Sequence, residues 1–317
     1  MSLTARRPTG APPTAAGARP RRGKVERQWP LALALLAPAM IVVFGVVLYP
    51  MGRTLVLSLV DATSALQTEF SFSGLSNYTA LLSNSEFWAT VWRTAVFTVF
   101  STAVELVVGL LLAQFLNQRI RGQWFFRSLV VLAWALPTIV SANMWRWILH
   151  PEYGALNGLL MHLGLLDSYK DWIGGPTQAL FVVALVDAWK TTPLVAILLL
   201  ASMQTIGDDV YEAAAMDGAG AVRRFLSITI PMLKPAIAVV LVLRTIEAFK
   251  VFDIIYIMTR GGPDSGTTTI AFYTYLQAFS NQEFSLGSAA AYLTVVFIFV
   301  LSLVYLRVLR TDSGGTA

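Results

Sequence analysis

Seven charged side chains lie inside long apolar runs of the sequence. They are Glu105, Arg146, Asp187, Lys190, Glu247, Lys250 and Asp253. An ionised group near the centre of a membrane costs roughly 2.5–3.5 kcal/mol on insertion scales, so such residues usually face a protein interior or a wet cavity. Asp187 and Lys190 are three residues apart and can form an ion pair on one helix face. Glu247 and Lys250 have the same spacing, although Arg146 and Lys250 can instead extend toward the membrane surface.

The same region of sequence also allows a solute site within the membrane. Sugars suit a mixed site, in which aromatic rings cover C–H faces while amides and charges bond the hydroxyls. The candidates for this substrate path are Asn143, Trp147, Asp187, Lys190 and Glu247. Arg146 and Lys190 are also able to meet a phosphate, which keeps glycerol phosphate as an alternative solute.

The sequence lacks the motifs of several common catalytic sites. It has no Gly-x-x-x-x-Gly-Lys-Ser/Thr loop, so the chain by itself is not an ATPase. A Gly-x-Ser-x-Gly elbow and a His-Glu-x-x-His helix are also missing, which argues against hydrolases and metalloproteases of those types. With no cysteine and only two histidines, His150 and His162, we expect neither a metal site nor a catalytic residue in this chain.

The charges are embedded in a strongly apolar chain of 317 residues. Hydrophobic residues make up 56% and charged residues 13%, against roughly 25% charged in ordinary soluble domains. Apolar windows long enough to cross a membrane occur near 29–51, 89–116, 125–149, 179–203, 235–258 and 287–309. Pro38, Pro137 and Pro193 lie inside these windows and predict kinks. The sequence therefore predicts an all-α integral membrane protein with about six spans within residues 29–310.

Basic residues indicate which side of the membrane each loop faces. Residues 1–28 hold seven Lys and Arg without apolar periodicity, so we predict a disordered cytoplasmic tail. The apolar run that follows is too long for a cleaved signal peptide. The 117–127 turn, the 204–234 loop and the chain end before the short tail 311–317 are also basic, which places both termini in the cytoplasm. Because the +5 net charge is concentrated beside the membrane, it does not indicate a nucleic-acid partner.

The loop 204–231, between the fourth and fifth spans, has a pattern of two short helices. Asp208 and Asp209 suit the start of the first helix, where free N–H groups need acceptors. Gly218 and Gly220 allow a turn, and Pro231 is expected to end the second helix before the next span.

The first of these helices has the surface of a docking element. The alanines at 213–215 favour helix and let a partner backbone approach closely, while Glu212 and Asp217 offer charges for pairing. An ordinary loop between spans, with a short amphipathic helix, is the alternative.

This loop resembles the EAA motif of ABC importer permeases. That motif has a Glu-Ala-Ala triplet, a downstream glycine and a terminal Ile-x-Leu-Pro. The matching residues are Glu212, Ala213, Ala214, Asp217, Gly218, Ala219, Phe225, Ile228 and Pro231, with Ile230 in place of the usual Leu. Residues 74–78, 187–193, 252–256 and 259–263 resemble the carbohydrate branch, the maltose, trehalose and glycerol phosphate permeases.

The resemblance implies the type I importer permease fold, with a cytoplasmic coupling helix between spans 4 and 5, in a bacterial inner membrane. It implies two partner ATPase subunits that bind ATP and Mg, a second homologous permease and an extracytoplasmic binding protein. The residues implied to contact the ATPase are Glu212, Ala213, Ala214, Asp217, Gly218, Ala219 and Pro231. The implied function is ATP-driven import of a sugar, such as the disaccharides trehalose or maltose.

Three alternatives remain open from the sequence. Glycerol phosphate or a polyol is the alternative solute for an importer. A stand-alone secondary transporter would use the intramembrane carboxylates, but its usual internal repeats are not evident. A membrane scaffold without a transport path is the third alternative.

Overall fold

The computed structural model describes residues 29–62, 70–118 and 121–312. The predicted disordered tail 1–28 lies outside these residues, as does most of the tail 311–317. The chain divides into two units, residues 1–53 and 54–317. Helix α1 begins at Trp29, passes through a π-helical turn at Val43–Leu48 and ends at Ser58; its described residues up to Arg53 belong to the first unit.

The second unit is built almost entirely of helices. A pair of two-residue antiparallel strands, β1 (Val60–Asp61) and β2 (Ser71–Phe72), follows α1, with Val60 opposite Phe72. The helices after it are α2 (Ser76–Leu82), α3 (Ser85–Asn117), α4 (Gln123–Ala135), α5 (Thr138–Ile148), α6 (Ala155–His162), α7 (Pro176–Met203), α8 (Asp208–Met216), α9 (Ala221–Phe249), α10 (Asp253–Met258), α11 (Ile270–Tyr275) and α12 (Phe284–Asp312). π-Helical turns lie within α9 at Phe225–Thr229 and after α11 at Leu276–Ser280.

Within the described residues, five helices are long and apolar enough to cross a membrane. They are α1, α3, α7, α9 and α12, and α4 with α5 makes a sixth if that bent pair is one span. The all-α membrane fold with about six spans, predicted from the sequence, is therefore confirmed.

The predicted span 125–149 is not one straight helix. Helices α4 and α5 meet at an angle of 94°. Leu136 and Pro137 between them have extended backbones, with ψ of 135° and 139°. A residue that precedes proline is pushed out of the helical region, and the proline has no N–H to continue the ladder. In contrast, Pro38 and Pro193 lie inside continuous helices.

Helix α9 also differs from its predicted bounds. The window 235–258 predicts one span, but α9 starts at Ala221, ends at Phe249 and is separated from α10 by three non-helical residues. The expectation that Pro231 ends a second short helix is wrong, because α9 continues through it. The π-helical turn immediately before Pro231 already has altered backbone pairing, which reduces the cost of the missing N–H.

Helices α3 and α7 form the centre of the second unit, because they pack against each other along much of their length. Near one end, Phe97 of α3 joins a buried cluster with Val183 of α7 and Ile255 of α10. Near the other end, Leu116, Leu199 and residues of α9 form a second cluster. A glycine permits the close approach between the two helices: a methyl group at Gly109 would lie 2.6 Å from Cγ1 and 3.1 Å from Cβ of Val195.

We expect Gly109→Ala to destabilise the fold. A β-branched valine in a helix has little rotamer freedom, so the helices must separate to accept the methyl group, at a cost of about 1–3 kcal/mol. The measurement is the midpoint of thermal unfolding in detergent. Gly52→Ala is the matched control, because a methyl group there meets nothing within 4 Å. An unchanged midpoint for Gly109→Ala would contradict the close packing.

Candidate functional site

A buried ion pair joins three helices in the second unit. The carboxylate of Glu105 on α3 is completely buried and accepts hydrogen bonds from Nε and Nη2 of Arg244 on α9, the latter at 2.8 Å. The hydroxyl of Thr191 on α7 donates to the same carboxylate at 2.8 Å. Each helix alone would bury an unpaired polar group, so the contact favours the arrangement in which all three meet.

Asp187 extends this network toward an open space. Its Oδ2 lies 3.5 Å from Nη2 of Arg244 and, among the described residues, has no hydrogen-bond partner. The side chain is nearly buried, on the same helix as Thr191. Asp187 therefore has an ion pair with Arg244 but no hydrogen bond at Oδ2 from the described residues.

The open space is a cavity of about 300 Å³ between α7, α9 and α10. Its walls are formed by Thr138, Asp187, Lys190, Thr191, Arg244, Glu247, Lys250, Val251, Phe252, Asp253 and Ile254. Three of these residues are acidic and three are basic, so the formal charges on the wall cancel. The three-residue break between α9 and α10 and the first two residues of α10 contribute residues 250–254 to this wall. The cavity thus combines charge, hydroxyl groups and one aromatic ring without an excess of either sign.

The structure brings together three of the five predicted substrate-path residues, Asp187, Lys190 and Glu247. Asn143 and Trp147 do not line this cavity. The amide of Asn143 is exposed and donates to the carbonyl of Ile139 in its own helix at 2.9 Å, and Trp147 is 71% exposed. Both residues lie on α5, which the bend after α4 redirects.

The ion pairs in the structure agree only partly with the pairs predicted from the sequence spacing. Glu247 and Lys250 form the expected pair at 3.0 Å, with both side chains about half exposed. Asp187 does not pair with Lys190, because Arg244 of another helix lies nearer. Sequence reasoning missed Arg244 altogether, although a lone arginine within the apolar run 238–246 was the signal that could have identified it.

The loop 204–231 contains the predicted first helix and turn. Asp208 and Asp209 lie in the first turn of α8, as expected. Gly218 has a φ of +76°, and the N–H groups of Gly218 and Ala219 bond the carbonyls of Ala215 and Ala214 at 3.0 and 2.9 Å. A left-handed residue at this place suits glycine and ends the helix.

The seven predicted contact residues of this loop lie at or near the surface. Glu212, Ala213, Asp217, Gly218 and Pro231 are exposed, while Ala214 and Ala219 are partly exposed. Met216 beside them is 89% exposed. The structure thus places the small residues and the acidic residues of the loop where a partner can reach them.

Helix α8 is linked to the cavity through α9. The hydroxyl of Tyr211 on α8 is 3.0 Å from the hydroxyl of the buried Thr229 on α9. Helix α9 then runs for 29 residues, or about 43 Å, to Phe249. The same helix carries Arg244 and Glu247 on the cavity wall. Helix α8 therefore contacts a helix that continues to the cavity wall.

Within residues 29–62, 70–118 and 121–312, no group of three or more His, Asp or Glu side chains is arranged to hold a metal ion.

We expect Glu105→Gln to be strongly destabilising, by about 3–5 kcal/mol, because it removes the carboxylate that pairs most closely with the Arg244 guanidinium and leaves only Asp187 at 3.5 Å. Glu86→Gln is the matched control: it lies on the same helix and pairs with Arg93 at 2.7 Å, but its side chain is 48% exposed. An exposed pair is worth only about 0–1 kcal/mol. Thermal unfolding of both variants in detergent measures the difference. Equal midpoints would show that the buried pair does not hold the three helices together.

The comparison with known families gives one match over most of the second unit. Residues 105–311 match the family described as binding-protein-dependent transport system inner membrane component. Both the cavity wall and the loop 204–231 lie within the matched residues.

Individual proteins are similar over nearly the full chain. The trehalose/maltose transport system permease protein MalF of Thermococcus litoralis is 40% identical over 90% of this chain and 95% of its own. The sulfoquinovosyl glycerol transport system permease protein SmoG of Agrobacterium fabrum is 40% identical over 89% of this chain and 91% of its own. The trehalose transport system permease protein SugA of Mycobacterium tuberculosis is 33% identical over 90% of each chain.

A solved structure has the same fold. A chain from the crystal structure of a bacterial alginate ABC transporter, in complex with its alginate pentasaccharide-bound periplasmic protein, superposes with a TM-score of 0.78. It is 21% identical and covers 94% of this chain and 100% of that chain. Together with the family match over residues 105–311 and the 40% identity to two transport permeases, this fold shows that the chain belongs to the binding-protein-dependent transport system inner membrane components, the multi-pass permease subunits of ABC importers.

Proposed function

We propose that this chain carries a sugar across the membrane as one permease subunit of an ATP-driven importer. The observation that supports this most directly is the cavity between α7, α9 and α10, whose wall is polar but has no net formal charge. Such a wall suits a neutral solute with many hydroxyl groups.

The cavity offers the groups that a sugar needs. The carboxylate of Asp187 lines the cavity and can accept a hydrogen bond from a hydroxyl, and Lys190 can donate one. Phe252 supplies an aromatic ring that can cover a C–H face. Two of the similar proteins are named as trehalose transporters, one of them also for maltose, so a disaccharide is the substrate class that we propose.

We further propose that the exposed helix α8 docks on a partner ATPase, which binds ATP and Mg, while this chain is not an enzyme. A second permease and a binding protein outside the cell complete the assembly, and both termini of this chain lie in the cytoplasm. In support, Glu212 and Asp217 are exposed, and the alanines between them leave room for a partner.

ATP drives transport in this scheme because it binds one conformation of the assembly more tightly than the other. The Tyr211–Thr229 contact passes the displacement of α8 to α9. Helix α9 carries Arg244 and Glu247 of the cavity wall with it. Through the Glu105 ion pair, α3 and α7 move together with α9.

Lys190 favours a second candidate substrate, an anionic sugar. Among the described residues, the Arg244 and Lys250 cations have carboxylates within 4 Å, whereas Lys190 on the same wall has none. A sulfonate or phosphate group could pair with it. SmoG, named for sulfoquinovosyl glycerol, is as similar to this chain as MalF is.

The deciding experiment is ATP hydrolysis by the full transporter in lipid, with its binding protein, across sugars, polyols, glycerol phosphate and sulfoquinovosyl glycerol. We expect stimulation by a neutral disaccharide. Stimulation by the anionic compounds only, abolished by Lys190→Met, would establish the second candidate. A purified chain that comes without any ATPase would contradict the importer and favour a secondary transporter.

Glu212→Ala tests the docking role of α8. Because the Glu212 side chain is exposed, we expect the fold to be retained while association with the ATPase weakens by about fivefold or more, the usual effect of losing a charged partner at an interface. Co-purification of the ATPase and substrate uptake are the two measurements. Glu152→Ala, an exposed glutamate in a different loop, is the matched control. Unchanged association with Glu212→Ala and Gly218→Ala combined would contradict docking through this loop.

A further inference from the structure

A second cavity, of about 660 Å³, lies beside the loop 204–231. The end of α3, the start of α4, the end of α7, helix α8 and the start of α9 form its walls. Gln114, Arg127, Gln204, Asp208, Tyr211 and Arg224 are among the residues that line it. From this lining we propose that the cavity binds the phosphate group of an anionic membrane lipid.

Two arginines on the wall have N–H groups that the described residues do not fully pair. Arg127 uses Nη2 in a long contact of 3.4 Å with the carbonyl of Leu116, and its buried Nε has no partner among the described residues. Arg224 has no carboxylate within 4 Å among the described residues. Asp208 lies on the same wall, so the formal charges of the lining add up to +1. The cavity therefore has a small excess of positive charge.

The polar residues of the wall are suited to binding a phosphate group. Arginine is the side chain best matched to phosphate oxygens, which accept several hydrogen bonds at once. Gln114, Asn117 and Gln204 add amide donors around the two guanidinium groups. A phosphate with several oxygens can use donors from more than one wall.

The cavity lies near the level expected for the lipid headgroups, which favours a lipid as the source of the phosphate. Gln123, the first residue of α4, lines the cavity, and Trp124 and Phe125 beside it are 74% and 51% exposed. Exposed aromatic residues at the end of a membrane helix mark the level of the lipid headgroups. Basic pockets between helices at this level are suited to anionic headgroups. An occupant there would bridge α4 and the base of α9, next to the loop that we propose for docking.

Retention of phosphatidylglycerol by the full chain tests this inference. Native mass spectrometry of protein purified from vesicles that contain phosphatidylglycerol and phosphatidylcholine measures it. We expect wild type to retain phosphatidylglycerol preferentially and Arg224→Gln to lose it by about fivefold, with a larger loss for Arg127→Gln combined with Arg224→Gln. Arg223→Gln is the matched control, because Arg223 is adjacent and exposed but does not line the cavity.

Two further outcomes are informative. Equal retention by wild type, Arg224→Gln and Arg223→Gln would overturn the inference. If lipid-free protein is instead stabilised against heat by inorganic phosphate, and Arg224→Gln removes that effect, the site stands with a soluble phosphate as its occupant. If the double variant fails to fold, Arg224→Gln alone still decides the question. None of these readouts depends on transport, so they remain valid even if the proposed sugar or docking role is wrong.

Discussion

The burial of Glu105 and Arg244 is the constraint on which the rest of the second unit depends. Either charge alone would be energetically costly inside a membrane segment, because an unpaired ion there loses its hydration without gaining a counter-charge. Paired, with Thr191 as a further donor, they require α3, α7 and α9 to meet at one point. The ion pair is thus weak evidence for extra stability but strong evidence for a unique arrangement. Asp187 lies 3.5 Å from Nη2 of Arg244, which also bonds Glu105, and so connects that arrangement to the cavity.

In the function that we propose, this arrangement connects a small surface loop with a distant site. Helix α9 begins within the loop 204–231, at Ala221, passes through a π-helical turn, Pro231 and Pro235, and ends at the cavity wall. The break after Phe249 then allows the chain to turn and present residues 250–254 to the same space. In the function that we propose, a long helix bonded to two others carries them with it when the loop moves.

Sequence reasoning predicted the membrane class, about six spans and the helix–turn of the EAA loop, because apolar length and glycine position are local signals. It could not predict partners that depend on three-dimensional contact. Asp187 was paired with Lys190 on spacing, while its true neighbour, Arg244, comes from another helix. Asn143 and Trp147 are predicted for the substrate path from their side-chain chemistry; they do not line the cavity between α7, α9 and α10, and their helix α5 makes an angle of 94° with α4. Pro231 does not end the helix, because a π-helical turn precedes it.

The central claim is that the loop 204–231 and the helices around the Glu105 ion pair move as one body. Since the chain has no cysteine, spin labels can be placed at Ala215 on α8 and Val99 on α3, both exposed. The measurement is the distance between these labels in the assembled transporter, without nucleotide and with ATP bound. A distance that stays the same in the two states is the result that the account predicts. A distance that changes with ATP would show that the loop moves separately from the ion-paired helices, and would contradict it.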